Sequence, residues 1–597
     1  MSRRIDFFRW LIYYSFMIKI KDMEFEYYDR DEEGNLTEMI SAIRGIRFEA
    51  EKGAFIALCG RNGSGKSTFA KVLNRLLVPA EGTVMIAGID ALNAENALEI
   101  RKRVGMVFQN PEDQLVGSVV REDCAFGAEN LGVPEKELAG RVDDALEAVG
   151  LSEKAEAPVE SLSGGEKQKL AIAGVLAMGT ECMVLDEATS MCDPASAREI
   201  LQLLDKLHRE KKLTIIFITH NMTEALCADM IYVFDKGRIA KSGRKQAIFA
   251  NTEKIDAIGL EVPMAVSVAR KLKEDGYLRT DELYSVGEIC ARLLKEHPYA
   301  FVKGVKLEAG KPKKLPVNPK SAILFDSVSF SYGKNKVLDS LSFSVAKGEY
   351  VVITGRTGAG KSTLLQLIPR LLSPQSGQIY VDGIDVNDRT TDIRSLRTKV
   401  GFMFQYPEQQ LFAENVYEDV VFGVRNLGIS EVEAEKRAYE CIELVGLSQD
   451  VYDLPPDKLS GGERRRVALA GVLALQPEYL VMDEPFAGLD PEGRRSMEEL
   501  ILALNKDAGI TVLLVSHDLD DALAHADRVI CIENGCVVTE GDPAEVFCAQ
   551  YRDGGVKAGV PFTTELMCTL RDRGMELSPP ARTPEAAVCE IERCLRK

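Results

Sequence analysis

Two nine-residue stretches, GRNGSGKST at 60–68 and GRTGAGKST at 355–363, decide how this chain is read. Each follows a short apolar run, FIALC or YVVIT, and each opens a helical pattern, KSTFAKVLNRLL or KSTLLQLIPRLL. Glycines let backbone N–H groups wrap phosphate oxygens. The lysine reaches the β- and γ-phosphates, and the serine after it holds Mg²⁺. The helix that follows points its positive end at the anion. The candidate nucleotide contacts are Gly60, Asn62, Gly63, Gly65, Lys66, Ser67 and Thr68 in the first copy. In the second they are Gly355, Thr357, Gly358, Gly360, Lys361, Ser362 and Thr363.

Outward from these loops, the whole chain is duplicated. Gly355 stands 295 residues after Gly60, Gln405 stands 296 after Gln109, and the second LSGGE (459–463) stands 297 after the first (162–166). Asp483 and His517 keep that spacing of 297 from Asp186 and His220. One register across five motifs marks an internal repeat with small insertions. It continues into EVPMAVSVARKLKEDG (261–276) and GVPFTTELMCTLRDRG (559–574). The expected organisation is a domain at 17–243 with a helical tail at 244–303, and a domain at 323–543 with a tail at 544–597. The Lys-, Pro- and Gly-rich stretch 304–322 joins them as an exposed linker. Residues 1–16, which hold the only tryptophan, read as an extension outside the fold, with a membrane-skimming segment as the alternative.

Apolar β-rich runs alternate with helical patterns, which argues for an α/β fold with a largely parallel sheet in each half. Ligands of such sheets sit at the carboxyl ends of the strands, where the motifs fall. The net charge of −18 disfavours an extended contact with nucleic acid, and none is expected as a partner. No run of about 18–20 apolar residues is present, so no helix is expected to span a bilayer. Thirteen cysteines without a C-x-x-C pair read as reduced thiols rather than a disulfide framework or zinc site.

The acidic pairs Asp186–Glu187 and Asp483–Glu484 close the apolar runs CMVLDE and YLVMDE. The aspartate can hold Mg²⁺, and the glutamate can polarise the attacking water. His220 and His517 are the histidines that recur in register, each closing a β-branched run, where an imidazole can contact the γ-phosphate or the developing charge. His208 and His525 read as plain surface residues, and His297 is given no role. Gln109 and Gln405 end VGMVF and VGFMF, from which an amide can reach water and Mg²⁺; a purely structural role fits them as well. Ser163, Gly164 and Gly165, with Ser460, Gly461 and Gly462, precede helical stretches. They form either an anion site or an ordinary N-cap with Glu166 or Glu463 in the first turn.

Together these residues resemble the ATP-binding cassette (ABC) superfamily. The resemblance implies two tandem ABC nucleotide-binding domains, each a P-loop core sheet with a helical signature subdomain. It implies ATP and Mg²⁺ as ligands, ATP hydrolysis as the activity, and an intramolecular cassette dimer in which each signature completes the other half's site. Site one then combines Lys66, Ser67, Gln109, Asp186, Glu187 and His220 with Ser460, Gly461 and Gly462. Site two combines Lys361, Ser362, Gln405, Asp483, Glu484 and His517 with Ser163, Gly164 and Gly165. Tyr27 and Tyr332 match the adenine-stacking aromatic, and Asp193 and Asp490 the loop that crosses between cassettes. Glu166 and Glu463 depart from the usual glutamine, Cys192 from leucine, and Pro485-Phe486 from Pro-Thr.

Finer stretches, FQNPEDQL and EDCAFGAENLGVP in the first half, FQYPEQQLF and EDVVFGVRNLGIS in the second, are similar to the paired ATPases of energy-coupling factor importers. That resemblance implies a separate transmembrane coupling protein, small membrane subunits that bind a vitamin or Ni²⁺/Co²⁺, and a peripheral place on the cytoplasmic face of the cell membrane. The alternatives are the fused ATPases of a conventional sugar or peptide importer, and a soluble twin-cassette ATPase acting on ribosomes.

Overall fold

The computed structural model describes residues 16–30, 36–190, 192–301, 321–552, 559–578 and 580–596. Most of the expected N-terminal extension and of the linker therefore lies outside the described residues. The chain divides into two compact units, Met1–Val266 and Ser267–Lys597.

The first unit contains two sheets. Strands β1 (Phe16–Arg30), β2 (Leu36–Glu51), β4 (Glu81–Ile86) and β5 (Ile89–Asp90) form an antiparallel sheet in the order β2-β1-β4-β5. In β1, buried Ile18 and Ile20 alternate with more exposed Lys19 and Lys21, the period-two pattern of a sheet with one covered face. The second sheet has the order β10-β9-β3-β8-β7-β6, from β3 (Phe55–Cys59), β6 (Val104–Val107), β7 (Cys182–Asp186), β8 (Thr214–Thr219), β9 (Met230–Asp235) and β10 (Arg238–Gly243). Only β10 runs antiparallel in it. Every residue of β3, β6, β7 and β8 is buried, as expected of parallel strands covered on both faces. Helices Val120–Asn130, Glu135–Val149 and Gly164–Met178 pack on one another as a separate layer.

The second unit repeats this plan. Its antiparallel sheet runs β12 (Asn335–Val345), β11 (Ile323–Tyr332), β14 (Ser376–Val381), β15 (Ile384–Asp385). Its parallel sheet runs β16 (Val400–Met403), β17 (Tyr479–Asp483), β18 (Thr511–Val515), β13 (Tyr350–Thr354), β19 (Arg528–Glu533), with antiparallel β20 (Cys536–Gly541) at the edge. Alternation along these strands feeds two cores. Val351, Ile353, Val481 and Leu513 enter one, and Val352, Leu480, Met482 and Leu514 the other.

From Ser267 onward the first tail belongs to the second unit. Its helix Val286–Glu296 packs on helix Phe562–Asp572 of the second tail, and Ile289, Leu293, Leu566 and Leu570 are fully buried. Each such side chain contributes about 1.5–3 kcal/mol relative to exposure. The Tyr299 hydroxyl donates to the Leu595 carbonyl at 3.1 Å, and Arg596 Nε donates to the Tyr277 hydroxyl at 2.7 Å. Phe301 and Met575 form a β-bridge. From residue 267 on, the first tail thus forms one packed module with the second.

Three histidines correct the sequence reading. His208 is no plain surface residue: its ring packs edge-on to Phe55, 5.7 Å between centroids, and its Nε2 lies 3.4 Å from Asp229. His525 is half-buried beside Glu498, and burial lowers its imidazole below the ordinary range. His297 has a structural part, with ring nitrogens 2.6 Å from the Tyr277 carbonyl and 3.0 Å from the Tyr299 hydroxyl. Apart from the neighbouring Tyr299, these partners come from segments about 20 or more residues away, which local sequence does not reveal. All thirteen cysteines are free thiols. Among the described residues, no helix is long and apolar enough to cross a membrane.

Candidate functional site

Both phosphate loops lie at the carboxyl end of the central strand of a parallel sheet. Gly65 and Gly360 cap the following helices with φ of 97° and 94°, a left-handed conformation that favours glycine. A Cβ on Gly65 would come within 2.5 Å of the Ala42 carbonyl, so a side chain has no room there. Lys66 is buried, and its Nζ donates to the carbonyls of Gly60 and Arg61 at 2.7 and 2.8 Å. Lys361 does the same with Gly355 and Arg356 at 2.8 and 2.9 Å. The ammonium is thereby held inside its own loop.

The strand ends β7 and β17 present Asp186 and Asp483 to the serines that follow the lysines. Ser67 Oγ donates to Asp186 Oδ1 at 3.1 Å, and the Ser362 hydroxyl favours the charged form of Asp483. Burial raises both aspartates, Asp483 to about 6, against the opposing pull of the serine and lysine. Asp483 Oδ1 is buried without a hydrogen-bond partner. An unsatisfied carboxylate oxygen beside a serine hydroxyl is a donor set suited to a hard divalent cation such as Mg²⁺.

Glu187 and Glu484 have φ of 48° and 50°. A non-glycine residue in this region is strained, and such strain concentrates at functional sites. Gln109 Nε2 donates to Glu187 Oε2 at 3.0 Å, and Gln405 Nε2 to Glu484 Oε2 at 3.4 Å. His220 Nδ1 lies 3.5 Å from Glu187 Oε1, whereas His517 meets Glu484 Oε1 through Nε2 at 2.7 Å. Burial raises Glu187, but the His220 imidazole and Lys66 outweigh it and hold the carboxyl below its usual range. Burial likewise works against charge on His220, yet Glu187 raises it overall. Each half so assembles glutamine, glutamate and histidine into one cluster.

The signature serines do cap their helices. Ser163 Oγ accepts from the Glu166 N–H, and Glu166 Oε2 accepts from the Ser163 N–H at 3.0 Å. Ser460 and Glu463 form the same reciprocal box. The glutamate after LSGG closes a capping box, which accounts for its presence in both halves. Gly461 faces open space, with nothing within 4 Å of a built Cβ. Asp193 and Asp490 cap the next long helices, accepting from Ser196 N–H at 3.0 Å and Gly493 N–H at 2.9 Å. Tyr27 and Tyr332 are 41 % and 51 % exposed, rings open for stacking; the Tyr27 hydroxyl also bonds Thr68 Oγ1 at 3.1 Å.

Sequence reading missed Thr189, Thr219 and Glu224. Both threonine hydroxyls donate to Glu224 Oε2, at 2.9 and 2.7 Å. It also missed a cavity of about 330 Å³ lined by Leu76, Phe108, Gln114, Val116, Phe126 and Met178. In the second half Phe404, Phe412 and Phe422 are exposed near Gln405 in sequence, and Phe412 meets Phe422 edge-on at 4.9 Å.

Comparison with known proteins agrees with this layout. The family described as ABC transporter matches residues 43–190 and again 338–487. A Methanosarcina acetivorans protein described as an ABC transporter ATP-binding protein is 34 % identical over 93 % of this chain and 94 % of its own length. Bacillus subtilis YkoD, described as an HMP/thiamine import ATP-binding protein, is 32 % identical over 84 % of this chain and 88 % of its own. Among solved structures, cbiO1 of Clostridium perfringens, part of the cbiONQ complex, is 34 % identical. It covers 42 % of this chain and 99 % of its own, with a TM-score of 0.37.

Proposed function

Since the chain belongs to the ABC transporter family as a fused pair of ATP-binding, ATP-hydrolysing cassettes, we propose that it is the energy-coupling subunit of an importer of the energy-coupling factor type. It drives uptake of a vitamin or a transition-metal ion through separate membrane subunits, from a peripheral position on the cytoplasmic face.

In each half the lysine of the loop holds the β- and γ-phosphates, and the exposed tyrosine stacks on adenine. Gln109 and Gln405 orient Glu187 and Glu484, which take a proton from the attacking water. His220 and His517 neutralise charge that develops on the γ-phosphate. A Mg²⁺ held by Ser67 and Asp186, or by Ser362 and Asp483, would supply charge neutralisation at the phosphates. ATP bound in both halves, each completed by the other's signature, favours a closed state, and hydrolysis removes that preference. The energy is delivered as a difference in binding between two conformations.

The observation that carries the transport reading is the apolar cavity whose wall includes Phe108, the residue before Gln109. A groove lined by Leu76, Val116 and Phe126, with Phe108 in its wall one residue before the Gln109 that bonds Glu187, gives an apolar helix of a membrane partner a seat connected through the chain to the hydrolytic cluster. The name carried by YkoD supports a vitamin-type cargo.

Affinity purification of the full chain from detergent-solubilised membranes, followed by mass spectrometry, tests this. The expected companions are a polytopic membrane protein and several small membrane subunits. Ribosomal proteins, or no membrane partner, would overturn the importer reading and leave the ATPase intact.

A further inference from the structure

The two halves hold their hydrolytic clusters by different means. In the first, Thr189 follows Glu187 by two residues and Thr219 immediately precedes His220. Both side chains are buried, 4 % and 3 % exposed. Their hydroxyls converge on one oxygen, Oε2 of Glu224. Thr219 Oγ1 also accepts from the Asn221 N–H at 3.0 Å, so it fixes the turn that carries His220. At the matching places the second half has Phe486, Ser516 and Asp521, none of them a threonine, and Ser516 Oγ accepts from the Asp518 N–H at 3.0 Å. There Arg494 bridges Asp518, at 2.6 Å, and Asp521, and stands over the Phe486 ring at 5.9 Å. The first half carries Ala197 where the second has Arg494.

We infer that Glu224 is a positioning residue of the first ATP site: by tying Thr189 to Thr219 it sets the spacing between Glu187 and His220. An Arg494–aspartate bridge does the equivalent work in the second half. The two sites are therefore mechanically unequal although their hydrolytic residues match. The chemistry favours this assignment over simple surface satisfaction. Removing Glu224 strands two buried hydroxyl donors, each on a segment that carries a member of the cluster, and an unsatisfied buried donor costs more than the bond it loses. Glu224 touches neither nucleotide nor water in this scheme, so its loss is expressed in turnover rather than in ATP affinity. The inference rests on the roles given to Glu187 and His220.

Steady-state ATP hydrolysis by the full chain carrying Glu484→Gln, so that turnover reports the first site, tests it, with added Glu187→Gln as the control for those roles. Glu224→Ala is expected to lower kcat about tenfold with KM within about twofold. Glu224→Gln, which keeps an oxygen able to accept from both threonines, is expected to retain at least about half of kcat. Thr219→Val, nearly isosteric and lacking the donor, is expected to fall between them and to make the Glu224→Ala loss non-additive. If Glu187→Gln keeps full turnover, the assignment of the cluster fails. If Glu187→Gln is impaired but Glu224→Ala is not, the clamp fails. Equal losses in Glu224→Ala and Glu224→Gln, or a loss in kcat matched by a rise in KM and a collapse in Tm, would also overturn it.

Discussion

A chain carrying both Glu187→Gln and Glu484→Gln is expected to lose at least about a hundredfold in kcat for ATP hydrolysis while still binding ATP, the usual range for removing a positioned general base. The substitution is conservative at this site. A glutamine carbonyl can still accept from Gln109 or Gln405, whose amides now bond Glu187 and Glu484 at 3.0 and 3.4 Å. What it cannot do is take a proton or carry the charge that faces His220 and His517. Phosphate release and nucleotide binding, measured side by side, separate the two effects. Turnover within about tenfold of the parent would remove both glutamates from the chemistry.

Lys66→Ala is expected to weaken ATP binding at one site by about tenfold to a hundredfold, and Lys361→Ala at the other, as for loss of a hydrogen-bonded charge worth about 1.5–3 kcal/mol. Each ammonium is buried and donates to two carbonyls of its own loop. Its loss removes the point charge that meets the phosphates and leaves those carbonyls without their donor. The loop then has to reorganise before it can wrap an anion. Titration with a fluorescent nucleotide analogue reads the change, and an unaltered Kd in either variant would mean that the loop backbone alone carries the affinity.

The parallel sheets were legible because their strands carry a strong signal: FIALC, CMVLD and LTIIFIT are apolar on both faces and run straight into polar motifs. The duplication was legible from register alone. The antiparallel sheet was not anticipated as a separate layer, because strands such as β5, two residues long, have no period to detect. Packing of the tails on each other was also hidden. Helix Val286–Glu296 is amphipathic, but its apolar face does not say that a segment near residue 566 will cover it.

At the site, the motif residues were identified by type and spacing, and the structure brings Gln109, Glu187 and His220 together as it does Gln405, Glu484 and His517. The positive φ of both glutamates was invisible, since glutamate gives no hint of a left-handed backbone. So was Glu224, which reaches Thr189 across 35 residues of chain and belongs to no short pattern. The N-cap reading of LSGG, with Glu166 or Glu463 in the first turn, was available from sequence, and the structure adds that each glutamate reaches back to the serine N–H to close a capping box.

The central claim is that each half holds its own nucleotide. It is tested most directly by the binding stoichiometry of ATP with the full-length Glu187→Gln, Glu484→Gln chain, measured by equilibrium dialysis in the presence of Mg²⁺. The account predicts two ATP per chain, and, at ATP concentrations that fill only the unaltered site, one when either Lys66→Ala or Lys361→Ala is added. A single ATP per chain in the parent variant, or a stoichiometry indifferent to one of the two lysines, would contradict it.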